Sequence, residues 1–206
     1  LYWDLYNEPG NGIANQNVKP RFLNRKSLPL LKEVFRWARE VNPSQPLTSG
    51  TWIFFAAIKN FQLKNSDIIT FHNYFDANLL SAQINTLQKQ VRPLICTEWM
   101  ARKMKSKVQS CLPVFKAKHV GCLNWGFVSG KTQTIYPWNS KPGTAPPKLW
   151  FHDLLYPDGT PYNTEEINTF KRLTANPEMK TTLNPDNFEK LIDGKQVHLF
   201  SLANRN

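Results

Sequence analysis

The sequence predicts an α/β protein built on a parallel β-sheet, and three observations support this fold class. Short apolar runs typical of buried strands alternate with longer stretches in which apolar residues recur at helical spacing. This βαβα alternation is typical of parallel strands covered by helices. A length of 206 residues with 41% hydrophobic content also supplies enough apolar side chains for a substantial core. Periodicity alone does not separate an open doubly wound sheet from a barrel.

Five strand-like runs and five helix-like segments follow one another along the chain. The strands are predicted at residues 1–6, 46–53, 67–74, 92–99 and 120–128, and the helices at 27–41, 54–61, 79–90, 108–118 and 164–174. In the first helix Leu31, Phe35 and Ala38 recur at 3.6-residue spacing. In the third strand Ile69 and Phe71 suit a strand that is buried on both faces.

Polar and aromatic side chains lie at or just after the C-terminal ends of these strands. They are Asn7, Glu8, Trp52, His72, Tyr74, Glu98 and Trp125. A barrel collects its active site from the C-terminal ends of its strands, and here all five strands contribute to that end. This placement favours a (β/α)8 TIM barrel, which is incomplete because only five strands are present.

The last thirty residues predict the start of a second, β-rich domain. Residues 175–184 are polar, which indicates a linker after a first domain at residues 1–174. In residues 185–206 the pair Asp193-Gly194 is a hairpin turn signal between two strand-like runs. We expect residues 185–206 to be a truncated piece of that second domain.

Composition excludes several functional classes. The formal net charge is +11, but the basic residues are dispersed and no nucleic-acid-binding motif accompanies them, so no nucleic-acid partner is predicted. The sequence contains no run of about 18 apolar residues, which is the length that indicates a membrane span. The three cysteines, Cys96, Cys111 and Cys122, are too few for a disulfide framework and are expected to be core thiols. No metal-ligand cluster is visible, and no cofactor is predicted.

Glu8 and Glu98 are the candidate catalytic pair. Hydrolysis of a glycosidic bond uses two carboxyl groups, one to protonate the leaving oxygen and one to attack the sugar or activate water. The two glutamates are far apart in the sequence but follow strands whose ends would meet at one barrel mouth. Burial and a neighbouring carboxylate raise a pKa, so we expect Glu8 to titrate above a free glutamate while Glu98 stays ionised.

The two segments around these glutamates resemble signatures of a known family. The run WDLYNEP at residues 3–9 is similar to the Asn-Glu-Pro signature that closes the fourth strand of clan A glycoside hydrolases. The run LICTEW at residues 94–99 resembles the seventh strand of those enzymes, which carries the nucleophile. The match covers about residues 1–174 and is most similar to the cellulase-like family five. The five predicted strands then correspond to barrel strands four to eight.

The resemblance implies a retaining hydrolase that acts on β-linked polysaccharide or oligosaccharide, of cellulase, xylanase or mannanase type, by double displacement. It implies that Glu8 is the acid/base, Glu98 the nucleophile and Asn7 a hydrogen-bond donor to the sugar 2-hydroxyl. No metal enters this chemistry.

The remaining candidates are aromatic or lie beside the glutamates. His72 and Tyr74 match the His-x-Tyr pair of strand six, where Tyr74 would hold the nucleophile, and Trp125 matches the aromatic floor after strand eight. Trp52 is a candidate because exposed indole faces pack against sugar rings. Trp138 and Trp150 are expected to be structural, and the loop at residues 129–147 is expected to line the sugar cleft.

The resemblance also sets expectations for the whole protein. Strands one to three are absent, so we expect this chain to be a nearly inactive part of a longer, secreted or periplasmic hydrolase. Residues 183–202 resemble the first strands of an aldose 1-epimerase (galactose mutarotase) and contain none of its catalytic residues. Two rival classes remain. One is a carbohydrate-binding protein that has lost catalysis; the other is a nucleic-acid binder. Oligomeric state is not predicted.

Overall fold

The fold was analysed in a computed structural model that describes residues 2–11, 26–52 and 56–175, together with two short strands near the C-terminus. The strands are β1 Trp3–Asp4, β2 Leu47–Thr48, β3 Ile69–Asn73, β4 Leu94–Trp99, β5 Gly121–Asn124, β6 Lys190–Ile192 and β7 Lys195–Val197. The α-helices are α1 Ser27–Val41, α2 Ala56–Asn65, α3 Ala77–Gln88, α4 Val108–Ala117 and α5 Thr164–Thr174, and a short 3₁₀ helix spans Arg102–Met104.

The first five strands run parallel and lie side by side in chain order. β1 pairs with β2, and β3 pairs with β4, which pairs with β5. An isolated parallel bridge between Thr51 and Phe71 links the end of β2 to β3. The predicted alternation of parallel strands and helices is therefore confirmed, and paired strands are consecutive in the sequence. In such an array all C-terminal strand ends lie at one edge, where the candidate residues are placed.

The helices begin and end where local chemistry favours it. Asp76 caps α3 by accepting hydrogen bonds from two backbone amides of the first turn, and Asn163 caps α5 by accepting one from the amide of Glu166. α5 carries two glutamates in its first turn and two basic residues in its last, which suits the helix dipole. α1 ends at Asn42, which adopts the left-handed conformation of a C-cap. The predicted bounds of α1 and α5 are confirmed.

Two clusters of buried apolar side chains hold the strands and helices together. The larger one joins strands β3 to β5 to α3, α4 and α5 and is centred on the fully buried Phe71, Trp99 and Phe115. The smaller one packs Leu31 and Phe35 of α1 against Leu47 of β2 and Ile58 of α2. All five residues of β3 are buried, as predicted for a strand covered on both faces.

All five strands are shorter than their predicted ranges, and three of them are shorter by four residues or more. β1 and β2 are only two residues long, and β5 ends at Asn124, so the predicted continuation to Val128 is wrong. Gly126 has a φ of 83° and turns the chain away; Val128 then bridges Leu155 instead of continuing beside β4.

The two short strands near the C-terminus form a hairpin. β6 and β7 pair antiparallel, with Lys190 opposite Val197, which is the pairing of the predicted hairpin. The predicted linker at residues 175–184 lies, beyond Ala175, outside the described residues. Among the described helices, none combines the length and apolar character needed to cross a membrane.

Candidate active site

Glu8 lies just after β1, in a tight turn that aims its carboxyl group at β3. Its backbone has a φ of 41°, a left-handed conformation that side chains other than glycine adopt rarely and that often marks functional residues. Glu8 Oε1 lies 2.7 Å from Nδ1 of His72, and Glu8 Oε2 accepts a hydrogen bond from the side-chain amide of Asn11. Both carboxyl oxygens are therefore held in place by neighbouring side chains.

Glu98 is the penultimate residue of β4 and is held by Tyr74, which follows β3. The Tyr74 hydroxyl donates to Glu98 Oε2 over 2.7 Å. Burial raises the pKa of Glu98, and the Tyr74 hydrogen bond and the nearby His72 partly offset that rise. Burial therefore outweighs the two partners, and the expectation that Glu98 stays ionised at neutral pH stays a prediction.

His72 lies between the two glutamates. Its side chain is 1% exposed, and Nδ1 is 3.4 Å from Glu98 Oε2 as well as 2.7 Å from Glu8 Oε1. One carboxyl oxygen of Glu8, one ring nitrogen of His72 and one carboxyl oxygen of Glu98 lie within 4.8 Å of one another. The candidate residues from β1, β3 and β4 therefore converge on one point, as the placement at strand ends predicts.

Gly50 and Asp4 complete the surroundings of His72 and were not found by sequence reasoning. A Cβ atom at Gly50 would lie 2.9 Å from Nε2 of His72, so a larger residue would push the ring out of place. Asp4 Oδ1 accepts from the Gly50 amide and Asp4 Oδ2 from the Thr70 hydroxyl, both over 3.3 Å. Neither has a sequence signal of its own, because the contact to His72 depends on how β2 and β3 align.

A cavity of about 590 Å³ is formed mainly by the loop after β5. Its walls are Trp125, His152 and residues 132–134 and 136–144. Trp138 packs edge-on against the Tyr74 ring at 4.8 Å, and His152 lies 5.5 Å from the same ring. Tyr74 therefore links the Glu98 carboxyl group to two rings of the cavity wall. Trp138 packs against Phe151 and His152 as well, in keeping with a structural role, and it is also 48% exposed and lines this cavity.

The other tryptophan and polar candidates occupy different environments. Trp125 is 43% exposed and lines the cavity, and its role as a sugar platform stays a prediction. Asn7 is exposed beside Glu8, and Trp52 is half-buried after the bridge at Thr51. Trp150 is buried and stacks on Tyr162, so its predicted structural role is confirmed.

The three cysteines are free thiols. Cys96 and Cys111 are fully buried, and Cys122 is half-buried opposite Cys96 on the neighbouring strand. Burial raises the pKa of Cys122 to about 11, and burial also raises that of Cys96. Protonated thiols are poor nucleophiles, which agrees with the prediction of core thiols.

We expect Tyr74→Phe to raise the pKa of Glu98 further. The hydroxyl stabilises the ionised carboxylate by donating to it, so its removal favours the protonated form. The measurement is a ¹³C NMR titration of the glutamate side-chain carboxyl groups. The control is Tyr136→Phe, which removes a hydroxyl from the cavity wall. An unchanged or lowered pKa of Glu98 in Tyr74→Phe would show that the Tyr74 hydroxyl does not stabilise the ionised carboxylate.

Comparison with known proteins reveals similarity of fold but not of sequence. No protein-family model matches the chain, and no curated protein matches it. Among solved structures, 61 chains match. The β-glucuronidase of Ruminococcus gnavus aligns with 84% of this chain at 16% identity and a TM-score of 0.55, and its complex with D-glucuronic acid gives the same values. Bacteroides uniformis β-glucuronidase 2, covalently bound to cyclophellitol-6-carboxylate aziridine, aligns with 71% at 15% identity and a TM-score of 0.53.

The chain spans only part of these proteins, covering 32% of the Ruminococcus gnavus chain and 20% of the Bacteroides uniformis chain. At such identities the similarity shows the fold alone. The chain therefore has the α/β fold found in part of these glycoside hydrolases. The closer resemblance to family five stays a prediction.

Proposed function

We propose that the protein is a retaining hydrolase of β-linked glycosides in which Glu98 is the nucleophile and Glu8 the acid/base. The observation that carries this proposal is the closeness of the two carboxyl groups, which have oxygen atoms within 4.8 Å of each other. Retaining glycosidases hold their carboxyl groups about 5 to 5.5 Å apart, whereas inverting enzymes leave about 6.5 to 9.5 Å for a water molecule. The separation here favours direct attack on the sugar.

The proposed reaction has two steps. In the first, a Glu98 oxygen attacks the anomeric carbon while the bond to the leaving oxygen breaks, and Glu8 gives its proton to that oxygen. In the second, Glu8 takes a proton from water, the water oxygen attacks the anomeric carbon, and Glu98 is released. His72 touches both carboxyl groups and positions them, and Tyr74 fixes the Glu98 oxygen. No cofactor takes part in either step.

We propose that the cavity between Trp125 and Trp138 binds sugar units of the substrate. Its volume falls in the range of small-molecule sites, about 300 to 1,000 Å³, and its walls combine aromatic rings with amide and hydroxyl groups. The substrate class is a β-linked polysaccharide or oligosaccharide of glucan, xylan or mannan type. β-Glucuronides are also to be tested as substrates, because solved structures of similar fold are β-glucuronidases. The cationic side chain of Lys141 in the cavity wall could pair with a sugar carboxylate.

We also propose that the five strands form part of a (β/α)8 barrel in a longer protein. In the two outer strands, Trp3 of β1 and Leu123 of β5 are more than half exposed. In a closed barrel further strands would cover these apolar groups. The 206-residue chain alone is then expected to be nearly inactive. The domain division at residues 174 and 185, the epimerase-like second domain and a secreted or periplasmic location belong to the same proposal.

The test is hydrolysis of aryl β-glycosides, aryl β-glucuronides and soluble β-glucan, mannan and xylan by a protein that includes the missing strands. Proton NMR follows the anomeric configuration of the first-formed product. Retention of the β configuration is expected, because two successive inversions restore it. An α-configured first product would show that Glu98 activates water and does not bond to the sugar.

A further inference from the structure

The point where Glu8, His72 and Glu98 meet has the composition of a site for a transition-metal cation. Two carboxylate oxygens and one imidazole nitrogen lie within 4.8 Å of one another, each on a different element of the sheet. All three side chains are at most 12% exposed. The residues are spread along the sequence without the spacing of a metal motif, which explains why sequence reasoning did not find them.

Two of the three distances between the ligand atoms can be compared with those of a zinc site. Zinc binds imidazole nitrogen and carboxylate oxygen at about 2.0 to 2.2 Å, so the ligand atoms of a tetrahedral site are separated by about 3.4 Å. The Nδ1 atom of His72 is already 3.4 Å from Glu98 Oε2. Its 2.7 Å distance to Glu8 Oε1 would have to open by about 0.7 Å, which a rotation of the Glu8 side chain supplies.

We propose that Zn²⁺, or a cation of similar chemistry such as Co²⁺, binds reversibly to Glu8 Oε1, His72 Nδ1 and Glu98 Oε2 and inhibits the protein. The proton shared between His72 Nδ1 and Glu8 Oε1 leaves to solvent as the ion binds. Three protein ligands leave a fourth tetrahedral position for water. Asp4 lies near His72 and adds a further carboxylate to this region.

The inhibitory consequence rests on the proposed function. With the cation in place, Glu8 has no proton to give to the leaving oxygen and Glu98 has no free oxygen to attack the anomeric carbon. The bound ion therefore blocks both carboxyl roles at once. The same closeness of carboxyl groups that favours a positively charged transition state also favours a divalent cation.

The binding test uses the 206-residue chain and does not require turnover. ZnCl₂ is titrated calorimetrically, and CoCl₂ is titrated with detection of the visible bands of tetrahedral Co²⁺. One equivalent is expected to bind, and His72→Asn and Glu98→Gln are each expected to weaken binding by at least about tenfold. Circular dichroism verifies that both variants fold.

Two control variants distinguish this site from other side chains that could bind the metal. His119→Asn removes an exposed histidine at a φ of 53°, a conformation that asparagine tolerates, and Cys122→Ser removes a half-buried thiol. Both are expected to bind like the unmodified chain, without a sulfur charge-transfer band for Co²⁺. If neither metal binds saturably, or if folded His72→Asn and Glu98→Gln bind as tightly as the unmodified chain, the proposed site is wrong.

Inhibition is then measured in the longer, active protein. Zn²⁺ is expected to reduce kcat/KM for an aryl β-glycoside, and a chelator is expected to restore it. Activation by Zn²⁺ would overturn the inhibitory role. Binding in the short chain together with no hydrolysis by the longer protein would instead keep the metal site and reject the glycosidase proposal.

Discussion

Replacing Glu98 by glutamine is expected to lower kcat for every β-glycoside by roughly a thousandfold or more, the largest effect of any single substitution. The amide keeps the shape of the side chain and still accepts the Tyr74 hydrogen bond, but it cannot form the glycosyl ester. The measurement is kcat for an aryl β-glycoside whose phenol is a good leaving group. That substrate isolates the nucleophilic step, because its departure needs no proton.

Glu8→Gln is the matched variant, since it removes the other carboxyl group from the same site. It is expected to lose activity on substrates with sugar leaving groups, which require protonation, yet to form the glycosyl-enzyme from the activated aryl glycoside. Added azide should then attack that intermediate and give a β-glycosyl azide. The two variants therefore fail at different steps.

A covalent label identifies the nucleophile independently of turnover. The proposed nucleophile would open the aziridine ring of a cyclophellitol aziridine and stay bonded to it, so this sugar mimic, with or without a 6-carboxylate, is the probe. Peptide mass spectrometry is expected to place the label on Glu98 and to find none in Glu98→Gln. Comparison of the carboxylated probe with its neutral counterpart reports whether the site takes an acidic sugar. A label on Glu8 would reverse the assigned roles.

The parts of the fold that follow from periodicity could be predicted from the sequence. The apolar spacing in α1 and α5 gives their bounds, and the apolar run around Phe71 gives a strand buried on both faces. The convergence of Glu8 and Glu98 also follows, because parallel strands bring their C-terminal ends to one edge.

Tertiary contacts between individual side chains could not be predicted. Gly50 matters only because the His72 ring lies against it, and Asn11 matters only because its amide reaches Glu8. Trp138 lies in a loop without periodic structure, so its approach to Tyr74 has no sequence signal. The rise in the pKa of Glu98 has no sequence signal either, since the degree of burial of a strand-end residue depends on the loops that cover it.

The buried ion pair between Arg102 and Glu166 is another contact of this kind, and it anchors the chain segment that carries His152. Arg102 Nε donates to Glu166 Oε1 over 2.9 Å, and Arg102 Nη2 donates to Glu166 Oε2 over 2.5 Å. The guanidinium also donates to the carbonyl oxygens of Trp150 and Asp153. Both charged side chains are at most 4% exposed. One arginine therefore ties the segment flanking the cavity to α5.

Arg102→Met is expected to lower the free energy of unfolding by about 3 to 5 kcal/mol, because it leaves the buried Glu166 carboxylate without a partner. Urea denaturation of the 206-residue chain measures the change. Arg36→Met is the control: its ion pairs with Glu33 and Glu40 lie on the exposed face of α1, where solvent screens them, so a much smaller change is expected. The double variant Arg102→Met, Glu166→Met should recover part of the loss by removing the orphaned charge. Equal effects of Arg102→Met and Arg36→Met would show that the buried pair does not anchor the cavity segment.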